Sequence, residues 1–581
     1  MSLRPSALLL VWAATAMLVL GPIEAARAAT PGSLDSSFGG SGIVATGSDS
    51  RLFGTVVLAN GEVVGVGEAG AQSSAATLVM VQYTTSGSLD HSFGAGGVVR
   101  GPAIVGSQDA NSLGRSVAVQ PDGKLVVVGS ATDPTGTYDD GLIVERYNAN
   151  GSVDTSFGSG GVVTLLAGQS YGEGYAVAIQ PDGKIIATGS ADAAGSGGTT
   201  PRVAVVRLNA NGSLDSSFGA GGIDVLDLGT YSDALGVALQ PTGKIVIVGS
   251  AAPGVQGQSA LVAQLTAAGA LDTSFASGAG YYVHQYAHGA SNSAFNAVAI
   301  RGDGRIVAAG SAASDNSGAD TLLVRFASSG ALDGTFGSGG VFYTPSAVNW
   351  SFGATQAVPG ADGAVLAPSG DIIVAGTYAN SATTYATLWA VTAAGLLDGR
   401  FGHSGAAVLT NSDNYSTEYA AIALSPTSGD FVAGGDTLPF GGAYTGIAGR
   451  YIGFGTPPPP PLKLSVRGIR GSYKTWTVAR HGLTLSIGAT APCTIEVSLT
   501  ISAATARKLH LKAGGRNPVR IANAQATLKG PETKSITLKL SKPDGKALEK
   551  QKRVSLKLVI SAIATGTNKT QTTSRGVTFR R

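Results

Sequence analysis

Residues 148–161 read Asn-Ala-Asn-Gly-Ser-Val-Asp-Thr-Ser-Phe-Gly-Ser-Gly-Gly, and residues 174–189 read Gly-Tyr-Ala-Val-Ala-Ile-Gln-Pro-Asp-Gly-Lys-Ile-Ile-Ala-Thr-Gly. Both tracts recur. The aspartate of the first returns at Asp35, Asp90, Asp154, Asp215, Asp272, Asp333 and Asp398, each followed three residues later by a phenylalanine, Phe38 through Phe401. The second tract ends in Gly67, Gly129, Gly189, Gly249, Gly310, Gly376 and Gly434. A period of about 60 residues marks copies of one supersecondary unit that bury their faces against each other.

Each unit reads as four short strands, because apolar runs of four to eight residues alternate with Gly, Pro, Asn and Asp and none keeps helical period. In one unit these are Val117–Gln120, Leu125–Gly129, Leu142–Tyr147 and Val162–Leu166. Asp-Gly pairs at Asp122-Gly123, Asp182-Gly183 and Asp303-Gly304 predict a two-residue hairpin turn between the first two strands. Four-stranded units arranged around an axis leave only short, protected edges. The expected fold is therefore all-β: a seven-bladed β-propeller of four-stranded blades plus a C-terminal β-sandwich. The chain opens with a lone fourth strand, residues 42–46, and closes with a lone set of three, residues 420–451, so the two ends are expected to share one blade.

Before any chemistry is assigned, the repeated Asp and Phe have structural readings. The phenylalanine fills a gap between blades. The aspartate, followed by Ser or Thr in most copies, caps a local turn. One Asp per unit beside Gly and Lys falls short of a calcium loop, which needs several converging oxygens. The glycines of the second strand predict close backbone approach.

The tracts resemble the delta-60 repeat of bacterial secreted and surface proteins over residues 31–451. The pattern departs at Ala276, where Gly is expected, and at Arg301-Gly302, where Gln-Pro is lost. The resemblance implies a propeller-like fold and an exported protein, and it brings no assigned chemistry.

Arg4, an apolar run from Ala7 to Leu20, Pro22 and Ala26-Arg27-Ala28 predict a secretory signal over residues 1–28. The expected divisions are then 29–455 for the propeller, 456–461 for a proline-rich linker and 462–581 for a basic immunoglobulin-like β-sandwich. Charge supports the boundary. Residues 29–461 hold 14 Lys/Arg against 31 Asp/Glu, a net of −17, whereas residues 462–581 hold 23 against 4, a net of +19. The single cysteine, Cys493, excludes an internal disulfide. Alternating runs at Ser535–Leu540 and Val554–Ile560, with Leu462–Val466, Leu483–Ile487 and Thr494–Leu499, predict about seven strands. Residues 502–509 and 547–552 predict short helical crossings. This module resembles the Lys-rich immunoglobulin-like domains that end many exported bacterial proteins.

Function is expected in the loops that differ between units, those from the fourth strand to the first and from the second to the third, since both sets fall on one face of the ring. Tyr138, Tyr171, Tyr231, Tyr286, Trp350, Phe352, Tyr385 and Tyr415 stand there among Asn, Asp and Ser. They are the candidate contacts for a carbohydrate or protein ligand, set against the plainer reading that they cap the outer ends of the blades. The six histidines show no metal spacing, including His284 and His288, and no Ser elbow stands out. No cofactor, metal or catalytic residue is assigned. The basic module is expected to meet anionic envelope polymers, and with so few aromatics nucleic acid is not an expected partner. The expected function is a secreted or envelope-held binding scaffold. Its alternatives are a propeller hydrolase or lyase acting on extracellular polysaccharide, and a structural envelope component without a specific ligand. A non-repeated cluster of carboxylates or His at the channel mouth is the mark expected of the enzyme.

Overall fold

The computed structural model describes residues 30–70, 76–101, 112–132, 140–165, 172–192, 200–252, 257–286, 292–313, 319–344, 360–379, 384–409, 416–439, 442–454, 464–467, 472–489, 493–511, 518–528, 532–564 and 570–581. It divides into two compact units, residues 1–455 and 456–581. Among the described residues no helix is long and apolar enough to cross a membrane.

The first unit is a β-propeller of four-stranded antiparallel sheets, seven of them among the described residues. Six are built from consecutive strands, such as Gly172–Ile179, Ile185–Asp192, Pro201–Leu208 and Ile223–Leu226. The seventh joins Ile43–Ser48, from the start of the chain, to Ser416–Leu424, Phe431–Leu438 and Thr445–Tyr451 from its end. Ile43 pairs with Gly449 and Val44 with Ala448, as the expected shared blade requires.

The hairpins differ from the sequence expectation by one residue. Gly123 N–H donates to Gln120 O and Gln120 N–H to Lys124 O, so the loop holds three residues, Pro121, Asp122 and Gly123. Only the glycine takes positive φ, at +87°, as in a tight turn closed by a glycine bulge. Asp122 is spent differently: its Oδ1 accepts from Lys124 N–H.

Opposite the second-strand glycine, every first strand carries a β-bulge. Register slips between Leu52 and Gly54, Gly114 and Ser116, Gly174 and Ala176, and at the matching place in each of the remaining sheets. The glycine is required because a Cβ on Gly189 would lie 1.8 Å from Glu173 O. In the shared sheet this role falls to Gly435, whose Cβ would lie 1.9 Å from Glu418 O, and not to Gly434, where the nearest atom is 3.3 Å away. The adjacent pair of glycines hid the register.

Phe38, Phe93, Phe157, Phe218, Phe275, Phe336 and Phe401 are all buried to within 1%. Each fills the seam to the next sheet. A Cβ on Gly212 would lie 3.0 Å from the Phe157 ring, and one on Gly32 as close to Phe401, which carries the contact across the chain ends. The aspartates cap as expected: Asp154 Oδ1 accepts from Ser156 N–H at 3.1 Å and Ser156 Oγ at 2.6 Å, with equivalents through Asp398.

The second unit sets a three-stranded sheet, Leu464–Arg467, Leu483–Ala489 and Glu532–Leu538, against a five-stranded one. The latter holds Ser472–Lys474, Cys493–Ile501, Val519–Leu528, Arg553–Ala564 and Thr570–Arg580. Leu485, Ile487, Ile495, Val497, Leu558 and Phe579 meet in one core, with Cys493 buried among them. Among the described residues eight strands therefore stand where the sequence predicts about seven. Helix α1, Thr475–His481, was not foreseen. Helix α2, Ala503–Lys508, follows the cap in which Ser502 accepts from Thr505 N–H. Helix α3, Lys542–Glu549, begins earlier than expected because Ser541 caps Asp544 N–H and Pro543 falls in the first turn, where its missing donor costs nothing.

Candidate functional site at the channel mouth

The first strands of all seven sheets line one central channel, with a cavity of about 620 Å³. That size suits a small ligand. Along most of the wall the repeat supplies small residues, such as Gly54, Ser116, Ala176, Gly236, Ala297, Gly363 and Ala421. The residue just before each of these is the one freed by the bulge. Phe53, Arg115, Tyr175, Leu235, Asn296 and Ala420 occupy this position and all face the channel. A bulge re-aims a side chain without disturbing the strand pairing on either side. Six sheets place six different residue types there.

The charged side chains gather at one end. Arg51 Nε donates to Asp436 Oδ2 at 3.1 Å, and its guanidinium lies 4.6 Å from the Tyr444 ring and 5.2 Å from that of Phe53. Arg115 pairs with Glu173 Oε2 at 3.4 Å and lies 4.9 Å over Tyr175, whose hydroxyl also donates to Glu173 Oε2. Glu68 stands opposite Arg51 in strand register, and Glu418 opposite Asp436. Glu68 and Glu418 are half-buried and make no ion pair among the described residues. Burial pushes the carboxyls of Glu68, Glu418 and Asp436 above the usual range, with Asp436 adding to the rise at Glu418 and Arg51 opposing it at Glu68. Burial also raises Asp233, against the pull of Ser250 N–H and Oγ.

These groups lie at the start of first strands and the end of second strands, hence at the face of the variable loops. Corresponding positions in the fifth sheet are Ala294 and Ser311, and in the sixth Gly360 and Thr377. The charge is therefore not part of the repeat. It is the non-repeated carboxylate cluster that the sequence could frame as a question and not locate, because a bulge and a register between strands decide it.

Of the eight aromatic candidates, Tyr138, Tyr171, Trp350, Phe352 and Tyr415 lie outside the described residues. Tyr231 opens the first strand of its sheet opposite Ala252, half-buried. Tyr385, also half-buried, pairs in register with Tyr378. Tyr286 is a core residue, 6% exposed, with its ring 5.8 Å from Phe295 and 4.6 Å from His284, so an exposed loop position is corrected there. None of these three lines the channel cavity.

Residues 58–93, 120–157, 180–218, 240–275 and 301–336 match the model of a family described as a domain of unknown function (DUF5122), beta-propeller. Each match ends on the seam phenylalanine. No curated protein matches the chain. Among solved structures, a protein of unknown function from Dyadobacter fermentans has 12% identity and a TM-score of 0.33, with 58% of this chain and 93% of that one covered. A polysaccharide lyase of family PL25, an ulvan lyase, has 10% identity and a TM-score of 0.37, with 71% and 96% covered. The Trypanosoma rangeli sialidase has 10% identity and a TM-score of 0.33, with 91% and 84% covered. Likenesses this distant speak to neither ligand nor activity. Five matched repeats, in phase with five of the sheets, support a β-propeller repeat family for this chain.

Proposed function

We propose that the chain is an exported carbohydrate-binding scaffold: a seven-bladed propeller that takes its ligand at the variable-loop end of the channel, and a basic immunoglobulin-like sandwich that holds it to an anionic envelope surface. One observation carries the binding reading. In a unit copied around a ring, the channel mouth is where the copies stop agreeing, and there they offer Arg, Glu, Asp, Asn, Tyr and Phe. Planar polar groups bond vicinal hydroxyls in pairs, and aromatic faces cover the apolar side of a sugar ring. A glycan and peptide array probed with the full chain tests the reading: retention of glycans that weakens in Tyr175→Ala supports it, and retention of peptides alone overturns it.

Cleavage of a polysaccharide is the second reading: the non-repeated carboxylates are the mark expected of an enzyme, and Glu68 and Glu418 are half-buried with raised proton affinity, but Asp436 and Glu173 are already engaged by Arg51 and Arg115, so the reading ranks second. Release of reducing ends from a bound glycan, abolished in both Glu68→Gln and Glu418→Gln, establishes it. Binding without release removes it.

For the sandwich, the support is its net of +19. The full chain should stay on purified cell walls at low salt and leave at high salt, since exposed charges are screened within a Debye length of about 3 Å at 1 M. Retention indifferent to salt, or none, removes the anchoring role.

A further inference from the structure

Four arginines of the first unit have all their nitrogens engaged. Arg146, Arg207, Arg325 and Arg450 each give Nε to a capping aspartate, Nη1 to a carbonyl of the next sheet and Nη2 to a Ser or Thr hydroxyl. The two on the channel wall differ. Arg51 gives only Nε, to Asp436, and Arg115 reaches Glu173 through Nη2 alone, at 3.4 Å. Among the described residues neither Nη of Arg51 nor Nη1 of Arg115 has an acceptor, and the buried Nε–H of Arg115 is unmet as well. An unmet donor in a partly dry site costs free energy that an acceptor from outside can return.

Both guanidinium groups lie against aromatic rings, Arg51 against Tyr444 and Phe53 and Arg115 over Tyr175. Stacking occupies the face of a guanidinium and leaves its edge, where the N–H bonds lie, for an acceptor. Both side chains line the cavity, and they come from neighbouring sheets: a Cβ on Gly54 would lie 2.8 Å from the Arg115 carbonyl oxygen. The wall contributed by the fourth to sixth sheets is largely apolar, with Leu235, Val237, Ala297 and Ala364. The cavity thus has a donor-rich arc and an apolar arc. The acceptor that matches guanidinium edges is a planar carboxylate, and Asp436 and Glu173 can keep the hydrogens they already hold. We infer that the channel cavity binds an acidic sugar, a uronate unit, whose carboxylate accepts from the open N–H groups of Arg51 and Arg115 while its ring lies along the apolar wall. Glu418 lines the same cavity, and its negative charge opposes such a ligand, which gives the test a variant of opposite sign.

This inference rests on the carbohydrate reading, and titration calorimetry of the full chain separates the two. The probes are a 1,4-linked galacturonate oligomer, a 1,4-linked mannuronate oligomer, the neutral methyl ester of each, and a sulfated galactose oligomer. At least one uronate should bind about tenfold more tightly than its own ester, a difference of about 1.4 kcal/mol. Arg115→Gln and Arg51→Lys should each erase that preference and leave the weak binding of the ester unchanged; the lysine keeps a cation beside Asp436 and loses the fork. Glu418→Gln should tighten the uronate and leave the ester as it was. Asp122→Asn, at the other face, should alter neither. Equal binding of acid and ester overturns the carboxylate site and leaves the carbohydrate reading standing. A preference for the acid that survives both arginine variants, or that Glu418→Gln fails to raise, belongs elsewhere on the chain and overturns the site in the channel. The sulfated oligomer bound more tightly than either uronate overturns the carboxylate assignment. Binding of none overturns both readings. Circular dichroism melts show which variants are folded, and Arg115→Gln with Glu418→Gln, both at half-buried positions, decides the matter should Arg51→Lys, beside buried Asp436, fail to fold.

Discussion

Arg207 donates from Nε to Asp215 Oδ2 across 2.7 Å while its guanidinium lies 4.6 Å over the ring of Phe218. Its Nη1 reaches the carbonyl of Ala267 in the next sheet, so one side chain joins the turn cap, the seam aromatic and the neighbour. Arg146, Arg325 and Arg450 repeat the arrangement. Arg450 does so across 415 residues of sequence, binding Asp35 at 2.7 Å and Thr85 O at 2.6 Å. Arg207→Met should cost about 2 to 3 kcal/mol in denaturant unfolding. That is less than the full loss for a broken buried pair, because Lys184 stays with Asp215 at 2.9 Å.

Acid should act on the same caps. Hydroxyl and backbone bonds from Ser or Thr, with Arg or Lys nearby, hold Asp154, Asp215 and Asp333 below the ordinary carboxylate value, Asp333 at about 2. Their contribution is present above the unfolded value near 3.8 and is lost as pH falls through the folded one. The melting temperature should drop steeply below about pH 4. Asp333→Asn should lower stability at neutral pH and flatten part of that acid limb.

Glu145 should act in the opposite sense. It is 1% exposed among valines of the adjoining strands, with Oε2 accepting from Tyr147 hydroxyl and Oε1 left without a partner. Burial raises its carboxyl from 4.5 to about 7 against the pull of Tyr147. The folded state thus keeps a proton that the unfolded chain releases first. Its contribution is intact below pH 4.5 and falls away up to about pH 7, by roughly 3 kcal/mol. Glu145→Gln should abolish that slope in a pH series of denaturant melts and be the more stable protein at pH 8.

Ala276 stands at φ +50° where the other sheets have Gly, for example Gly219 at φ +48°. A Cβ in the left-handed region costs about 1 kcal/mol. Ala276→Gly should therefore stabilise the protein by about that amount in calorimetry, an unusual sign for a change to glycine. Gly189→Ala should destabilise by at least about 3 kcal/mol, because its Cβ would meet Glu173 O at 1.8 Å and backbone cannot step aside as a side chain can.

What was legible in the chain was what local chemistry writes. Asp154 with Ser156 announces its own cap, Phe157 its seam, and the unmatched strands at either end their union. The arginines on the third strands passed unnoticed, since Arg207 sits in an apolar run whose exposure on one edge is decided by the next sheet. The channel ring was hidden for a similar reason. Tyr175 and Arg115 look like ordinary strand positions until the slip between neighbouring residues turns them inward, and nothing within either strand states that slip. Tyr286 misled in the other direction: an aromatic near a loop looks exposed, yet Phe295 and Phe326 form a core around it.

Because Ile43–Ser48 finds its only sheet partner among the described residues in Thr445–Tyr451, a polypeptide made from its N-terminus carries an unclaimed edge until almost the whole of the first unit exists. The final joining waits until the closing three strands have been made. Non-local pairing of this kind is slow and leaves sticky edges meanwhile. A product lacking the last three strands would leave the edge of Ile43–Ser48 open.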